Sequence, residues 1–170
     1  MKRTSIALAA ASLAAVVGTA VAAPAPAFAT GCSTAWGSTA EHAGSLSRAH
    51  ISTLRTGSHA CFDRMVVDLT GTTAGYRVQY VNQVRSEGSG NVVPLRGGAH
   101  IQVTVLAPIG SRIPAMPSTA GMRTFRQLAY AGSFEGQTTF GLGVRARLPF
   151  RVFVIGGTTP KVVVDVAHTW

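Results

Sequence analysis

The sequence predicts an all-β fold, a small two-sheet β-sandwich of about eight strands that follows an export signal. Short segments rich in β-branched and aromatic residues recur along the chain, separated by Gly, Ser, Asn or Pro. Apolar and polar residues alternate within these segments, as in strands with one buried face. No convincing amphipathic helix follows residue 29, although residues 118–128 could contain a helical turn. A chain of this length fits one domain with a single core.

Residues 1–29 have the composition of a signal peptide. A basic start precedes an apolar run over residues 6–23, and residues 27–29 have the small-x-small pattern of a cleavage site. The run approaches the ~20 apolar residues of a transmembrane helix. Its small residues, the prolines after it and the cleavage pattern favour removal instead. We therefore expect a mature chain that begins at Thr30, lacks a membrane span and acts outside the cytoplasm, secreted or associated with the cell envelope.

A polar, turn-rich N-terminal arm is predicted for residues 30–48 and the β-domain for residues 49–170. The clearest alternation runs from Val144 to Val154, where every even position is apolar. A period of two sends these side chains inward and the odd ones to solvent. The predicted core residues of the last strands are Val144, Leu148, Phe150, Val152, Val162, Val164 and Val166. The predicted strands span residues 50–55, 62–69, 76–84, 100–107, 123–134, 138–148, 150–155 and 161–169.

The two cysteines, Cys32 and Cys61, allow two interpretations. An exported compartment permits a disulfide, and an even count leaves neither thiol unpaired. Closing this loop would stabilise the fold by roughly 3.5 kcal/mol in the chain-entropy model. Alternatively, the small residues before Cys32 resemble a lipobox, in which the cysteine carries a lipid, although Ala29 stands where a large aliphatic residue is usual. We predict the disulfide, with lipid anchoring as the alternative.

The chain is strongly basic, with a formal net charge of +9 at pH 7. Loss of Lys2 and Arg3 with the signal leaves 13 basic and 6 acidic residues, a net charge of +7. All of these basic residues except Lys161 are arginine, whose planar guanidinium suits carboxylate and phosphate groups. Cell-wall polymers and anionic lipid headgroups fit an exported protein, whereas nucleic acid does not. The excess of arginine fits a role in solubility equally well.

Candidate ligand-binding residues occupy the polar positions of predicted strands. Arg145, Arg147 and Arg151 share one strand parity and would form a row of guanidiniums along one edge of the domain. Arg77 and Gln79 would extend this cationic face if their strand lies in the same sheet.

Other polar and glycine residues suggest further roles. Glu135 and Gln137 share a face of an extended chain, where they could bind sugar hydroxyls or cap a turn between two strands. Gly141 and Gly143 alternate within a strand, which indicates a bulge or a close backbone approach rather than a phosphate loop. No recognised zinc-ligand spacing, P-loop or nucleophile-elbow motif is present. We therefore predict neither a metal nor a cofactor.

Long motifs after the signal resemble the AMIN-like domain of actinobacterial secreted proteins and lipoproteins. They are Cys32 with residues 36–38, then residues 55–64, 75–78, 131–137, 141–153 and 164–170. The resemblance implies a small β-sandwich related to the AMIN domain of cell-wall amidases. Domains of that wider family recruit enzymes or secretin pores to the envelope by contacting peptidoglycan.

Two functions remain open from the sequence. The first is an exported, non-catalytic module that binds or targets to the envelope, with a cell-wall polymer or an envelope protein as its partner. The alternative is an exported hydrolase that uses Glu135, Asp165 and His168. A pocket shared by Glu135 and Asp165 would favour the hydrolase.

Overall fold

The computed structural model describes Gly31, Cys32 and residues 34–170 as a sandwich of two antiparallel sheets. The strands are β1 Glu41–Ala43, β2 His50–Ser58, β3 Phe62–Thr70, β4 Tyr76–Val81, β5 Ala99–Val105, β6 Phe125–Phe134, β7 Gln137–Val144, β8 Phe150–Ile155 and β9 Lys161–Ala167. The five-stranded sheet has the order β1-β4-β5-β7-β6, and the four-stranded sheet the order β2-β3-β9-β8. The predicted all-β sandwich is confirmed. The predicted signal peptide, residues 1–29, lies outside the described residues.

The eight predicted strands correspond to β2 through β9, with ends shifted by a few residues. The largest shift is in the segment predicted as residues 138–148, because β7 ends at Val144 and residues 145–149 connect the two sheets. The helical turn considered for residues 118–128 is not formed. A tight turn at Ala120 and Gly121 precedes β6 there, and residues 34–170 contain no helix.

The core lies between the two sheets and is built from alternate residues of the strands. All residues predicted as core are buried, with at most 7% of any of them exposed: Val144, Leu148, Phe150, Val152, Val162, Val164 and Val166. Val144 belongs to the five-stranded sheet and Phe150 to the four-stranded sheet. The alternation continues across this change of sheet because both sheets turn one face toward the same core.

The N-terminal arm is more ordered than the predicted polar, turn-rich segment. It contributes β1, which pairs with β4 at the edge of the five-stranded sheet. It also covers the free edge of β8, since the Phe150 N–H donates to the Gly37 carbonyl at 2.9 Å and the Val152 N–H donates to the Glu41 carboxylate at 3.0 Å. Uncovered edge strands invite pairing with other chains, so these contacts protect the sheet.

Glu41 should make stability depend on pH. Burial raises the pKa of its carboxyl above the ordinary 4.5, and the bond from the Val152 N–H opposes this only in part. Between the two pKa values the folded protein binds more protons than the unfolded chain, so this group destabilises the fold as pH rises through that window. We expect Glu41→Gln, which keeps an acceptor for Val152, to gain stability relative to wild type between pH 4 and pH 7. Urea unfolding of both proteins at pH 4 and at pH 7 checks this. If the two proteins differ in free energy of unfolding by the same amount at both pH values, the prediction is wrong.

Candidate functional site

The predicted disulfide between Cys32 and Cys61 is present, with the Cα atoms 5.2 Å apart. It ties the start of the described arm to the turn between β2 and β3. A cysteine whose sulfur is bonded to another cysteine has no thiol left to carry a lipid. The bridge therefore supports the disulfide interpretation over lipid anchoring, and it holds the arm beside the outer face of the four-stranded sheet.

Two arginines on that outer face share one carboxylate. Arg64 of β3, Asp165 of β9 and Arg151 of β8 lie opposite one another in adjacent strands. Asp165 is fully buried and accepts hydrogen bonds from Arg64 at 2.6 and 2.8 Å and from Arg151 at 2.9 Å. The bonds to Asp165 raise the pKa of the Arg64 guanidinium above its ordinary value. The carboxylate thus fixes two permanently charged groups side by side.

Aromatic rings lie against these two guanidiniums. The Arg151 guanidinium lies 4.3 Å from the centre of the Trp36 ring and 5.3 Å from that of Phe153, and Arg64 lies 5.1 Å from that of Phe62. Cations are attracted to the faces of aromatic rings, which stabilises this arrangement further. The side chains of Arg64 and Arg151 stay 26% and 42% exposed. We call Trp36, Phe62, Arg64, Arg151 and Phe153 the arginine–aromatic surface.

The row of guanidiniums predicted along one edge of the domain does not follow strand positions from Arg145 to Arg151. Arg145 and Arg147 lie in the connection between β7 and β8, so they belong to neither strand. Arg147 donates to the Ser38 carbonyl at 2.9 Å and lies over Tyr80, while Arg145 donates to the carbonyl of His168. Since Ser38 follows Trp36 by two residues, Arg147 still flanks the arginine–aromatic surface.

An exposed tryptophan lies at the same end of the sandwich. The indole N–H of Trp170 donates to the Arg147 carbonyl at 3.1 Å, and the residue is 71% exposed. Its exposed ring therefore lies beside the Arg147 backbone. The chain has two tryptophans, Trp36 and Trp170, and this rarity is the feature of the sequence that could have drawn attention to Trp170.

Arg77 and Gln79 lie on the other sheet from Arg151, so the condition under which they would extend its cationic face is not met. Both belong to β4 of the five-stranded sheet and point away from the core. Gln137 of β7 lies beside them, and the Arg77 guanidinium contacts its amide oxygen at 3.4 Å. A cavity of about 170 Å³ is lined by Arg77, Gln79, Glu87, Gln102, Thr104 and Gln137. The alternation of β5 indicated that Gln102 and Thr104 face outward, but no sequence signal placed Glu87 there.

Glu135 is a turn residue, one of the two roles considered for it. It forms the two-residue turn between β6 and β7 with Gly136, at backbone φ angles of 49° and 78°. Positive φ at both positions matches the twist of a tight hairpin. Glu135 is exposed there, while its predicted partner Gln137 lines the cavity. Turn geometry thus accounts for its position, and its binding role stays a prediction.

The structure does not bring together the three residues of the hydrolase interpretation. Glu135 lies in a turn of the five-stranded sheet, whereas Asp165 is buried in the four-stranded sheet beneath two arginines. The two ring nitrogens of His168 lie 3.0 Å from the Thr124 hydroxyl and 3.0 Å from the His59 carbonyl, so both are occupied by contacts within the fold. Among the described residues, this geometry favours structural roles for Asp165 and His168.

The fold and its surfaces define a two-sheet antiparallel β-sandwich that displays arginine, glutamine and aromatic side chains on its outer faces. A family model for the AMIN-like domain matches residues 49–168. The chain therefore belongs to the AMIN-like domain family, which confirms the resemblance seen in the sequence. No curated protein and no solved structure gives a significant match. No helix in the described part of the chain is long and apolar enough to cross a membrane.

Proposed function

We propose that this protein is an exported, non-catalytic module that binds or targets to the cell envelope through the arginine–aromatic surface. Its partner is an anionic cell-wall polymer, such as peptidoglycan or a polymer that bears phosphate, or an envelope protein with an acidic face. Membership of the AMIN-like family supports the envelope as the site of action. The observation that carries the proposal is the pair of guanidiniums that Asp165 fixes against aromatic rings.

The charge of this surface suits an anionic partner. Arg64 and Arg151 outnumber Asp165, and Asp165 itself is inaccessible to a ligand because it is fully buried. Arg145 and Arg147 add two exposed positive charges at the same end of the sandwich. Guanidiniums held in a fixed plane bind carboxylate or phosphate with little loss of side-chain entropy. The exposed Trp170 ring could stack on a sugar or an aliphatic group next to that anion.

Arg145 and Arg147 offer the cleanest test of binding. We expect the double change R145Q/R147Q to weaken binding to isolated cell wall by about thirtyfold, since each basic residue near an anionic surface contributes ~1 kcal/mol. Thermal stability should fall only slightly, because both side chains are exposed and neither forms an ion pair, although each loses a hydrogen bond to a backbone carbonyl. Pull-down of the mature protein on isolated wall at increasing salt measures this, and binding should fall with salt because exposed charges are screened.

The control removes the same charge from the opposite end of the sandwich. Arg48 and Arg112 are exposed and flank His50 at the start of β2, whereas the arginine–aromatic surface lies near the end of that strand. R48Q/R112Q should bind the wall nearly as well as wild type. Equal loss in both variants would indicate attraction by net charge alone, and an absence of binding to wall would refute the proposal. Arg151 is unsuited to this test because its change would also break the ion pair with Asp165.

A further inference from the structure

The cavity on the five-stranded sheet forms a second candidate site, on the opposite face of the sandwich from the arginine–aromatic surface. Its floor is the outer face of β4 and β5, where Gln79 lies opposite Gln102 and Arg77 opposite Thr104. Residues 82–98, between β4 and β5, cover the neighbouring β7. We call the lining residues Arg77, Gln79, Glu87, Gln102, Thr104 and Gln137 the amide cavity.

Two glycines allow the covering loop to lie directly on β7. A Cβ atom on Gly141 would stand 2.7 Å from a methyl group of Leu95, and one on Gly143 would collide with the Arg96 carbonyl oxygen. This confirms the close backbone approach predicted from their alternation. The loop is therefore a fixed wall of the amide cavity, and it carries Glu87.

Glu87 is held in place by several independent contacts. Its N–H donates to the Ala131 carbonyl at 2.7 Å, and its carboxylate accepts a hydrogen bond from the Thr139 hydroxyl at 2.6 Å. Gly132, at a φ of 121°, leaves room for the Glu87 backbone, which would lie 3.0 Å from a Cβ atom there. These contacts occupy only one carboxylate oxygen, so the other keeps its capacity to accept a hydrogen bond.

Much of the hydrogen-bonding capacity around the amide cavity is unused by the described residues. The side-chain amides of Gln79 and Gln102 have no partner among them, and the one side-chain contact of Arg77 is the long 3.4 Å bond to Gln137. Arg77 and Glu87 line the same cavity but are too far apart to form an ion pair. A cation and a firmly held anion therefore face one small polar space without forming an ion pair.

We propose that the amide cavity binds a zwitterionic α-amino acid group, in which one carbon carries both an ammonium and a carboxylate, as in a free amino acid. Its carboxylate would meet the Arg77 guanidinium in a charge-assisted bond. Its ammonium would meet the free oxygen of Glu87, and Gln79 and Gln102 would bond the adjoining polar atoms. A purely anionic ligand would be repelled by Glu87 and a purely cationic one by Arg77.

Size and lining also favour this class of ligand. A volume of about 170 Å³ lies below the roughly 300 Å³ at which pockets for drug-sized molecules begin, so the cavity fits a group of residue size. None of its lining residues is aromatic, which leaves no ring on which a sugar could stack. The proposal does not depend on wall binding, because its residues lie on the other sheet.

The test is an NMR titration of the folded mature protein with L-alanine and D-alanine, followed through the side-chain amide signals of Gln79, Gln102 and Gln137. We expect saturable shifts of these signals with at least one enantiomer. N-acetylalanine lacks the ammonium and alaninamide lacks the carboxylate, and each should bind at least tenfold more weakly. Because the ligand has no net charge, its affinity should depend less on salt than wall binding does.

Two variants assign the charges. E87Q can still accept the Thr139 bond, and it should weaken alanine binding at least tenfold. The binding of N-acetylalanine should hold or improve in E87Q, because the repulsion between its carboxylate and Glu87 is removed. R77Q should weaken alanine binding as strongly, while the binding of the cationic alaninamide holds or improves for the corresponding reason. R85Q removes an exposed arginine from the same loop outside the cavity and should bind alanine as wild type does. The absence of saturable shifts, equal binding of all the ligands, or equal effects of R77Q and R85Q would overturn the proposal.

Discussion

Replacement of Asp165 with asparagine is expected to destabilise the fold by about 3 kcal/mol. The change removes the buried charge that neutralises Arg64 and Arg151 and turns an acceptor into an amide donor that faces a guanidinium. Breaking a fully buried pair typically costs ~3–5 kcal/mol, and the lower value applies because both guanidiniums keep some contact with solvent. Since small domains are stable by only ~5–15 kcal/mol, urea unfolding should detect the loss readily.

The same outer face offers a matched control in Asp68. Its carboxylate pairs with Arg55, which is 52% exposed, at 2.6 Å. The Asp68 side chain is itself 10% exposed, but it has one arginine partner, which is more exposed than Arg64 or Arg151. Asp68→Asn should therefore cost less than Asp165→Asn, about 1–2 kcal/mol. In addition, Arg151→Gln should cost much less in an Asp165→Asn background than in wild type, because the two residues share one contact. Equal losses for Asp68→Asn and Asp165→Asn would contradict a central role of Asp165.

The fold was largely predictable because its strands alternate and end at clear turns. From Val144 to Val152 the alternation sorts the inward-facing residues correctly although the chain changes sheets between Val144 and Phe150. It fails at Val154, near the end of β8, which is 37% exposed. Both sheets face the same core, so a side chain of either sheet is buried when it points inward. Alternation therefore tells which side chains point inward, but it does not tell which sheet a residue belongs to. For this reason alternation predicts correctly that Arg151 points outward, but it does not show that Arg145 and Arg147 lie in the connection between the two sheets.

The candidate sites were less predictable because their members are distant in the sequence. Arg64 and Asp165 are 101 residues apart and meet only through the register of β3 with β9. Glu87 reaches the amide cavity from a long loop, and its contact with Thr139 of β7 depends on how that loop folds back. The strand β1 was missed because three residues carry too short a pattern to be recognised. The alternation within each strand predicts that Arg77, Gln79 and Gln137 point outward. The pairing of the strands determines that these side chains meet at one cavity.

The disulfide links the stability of the fold to the arginine–aromatic surface. Cys32 lies four residues before Trp36, and Trp36 covers Arg151. The arm from Gly37 onward has its own attachments, through the bond to Phe150 and the pairing of β1 with β4. Among the described residues of the arm, Cys32 and residues 34–36 are therefore those whose position depends most on the bridge.

Replacement of both cysteines with serine should lower the free energy of unfolding by about 3.5 kcal/mol, the chain-entropy value for a loop of this length. Urea unfolding of the oxidised wild type and of C32S/C61S measures the loss. The local effect can be read from Trp36 in a W170F background, where it is the single tryptophan of the chain. Because the arm from Gly37 onward stays attached, far-ultraviolet circular dichroism should be preserved while acrylamide quenches Trp36 more strongly than in W170F alone. An unchanged free energy of unfolding would contradict the expected loss of stability. Unchanged quenching in a folded C32S/C61S/W170F protein would show that Arg151 and Phe62 hold Trp36 without help from the bridge.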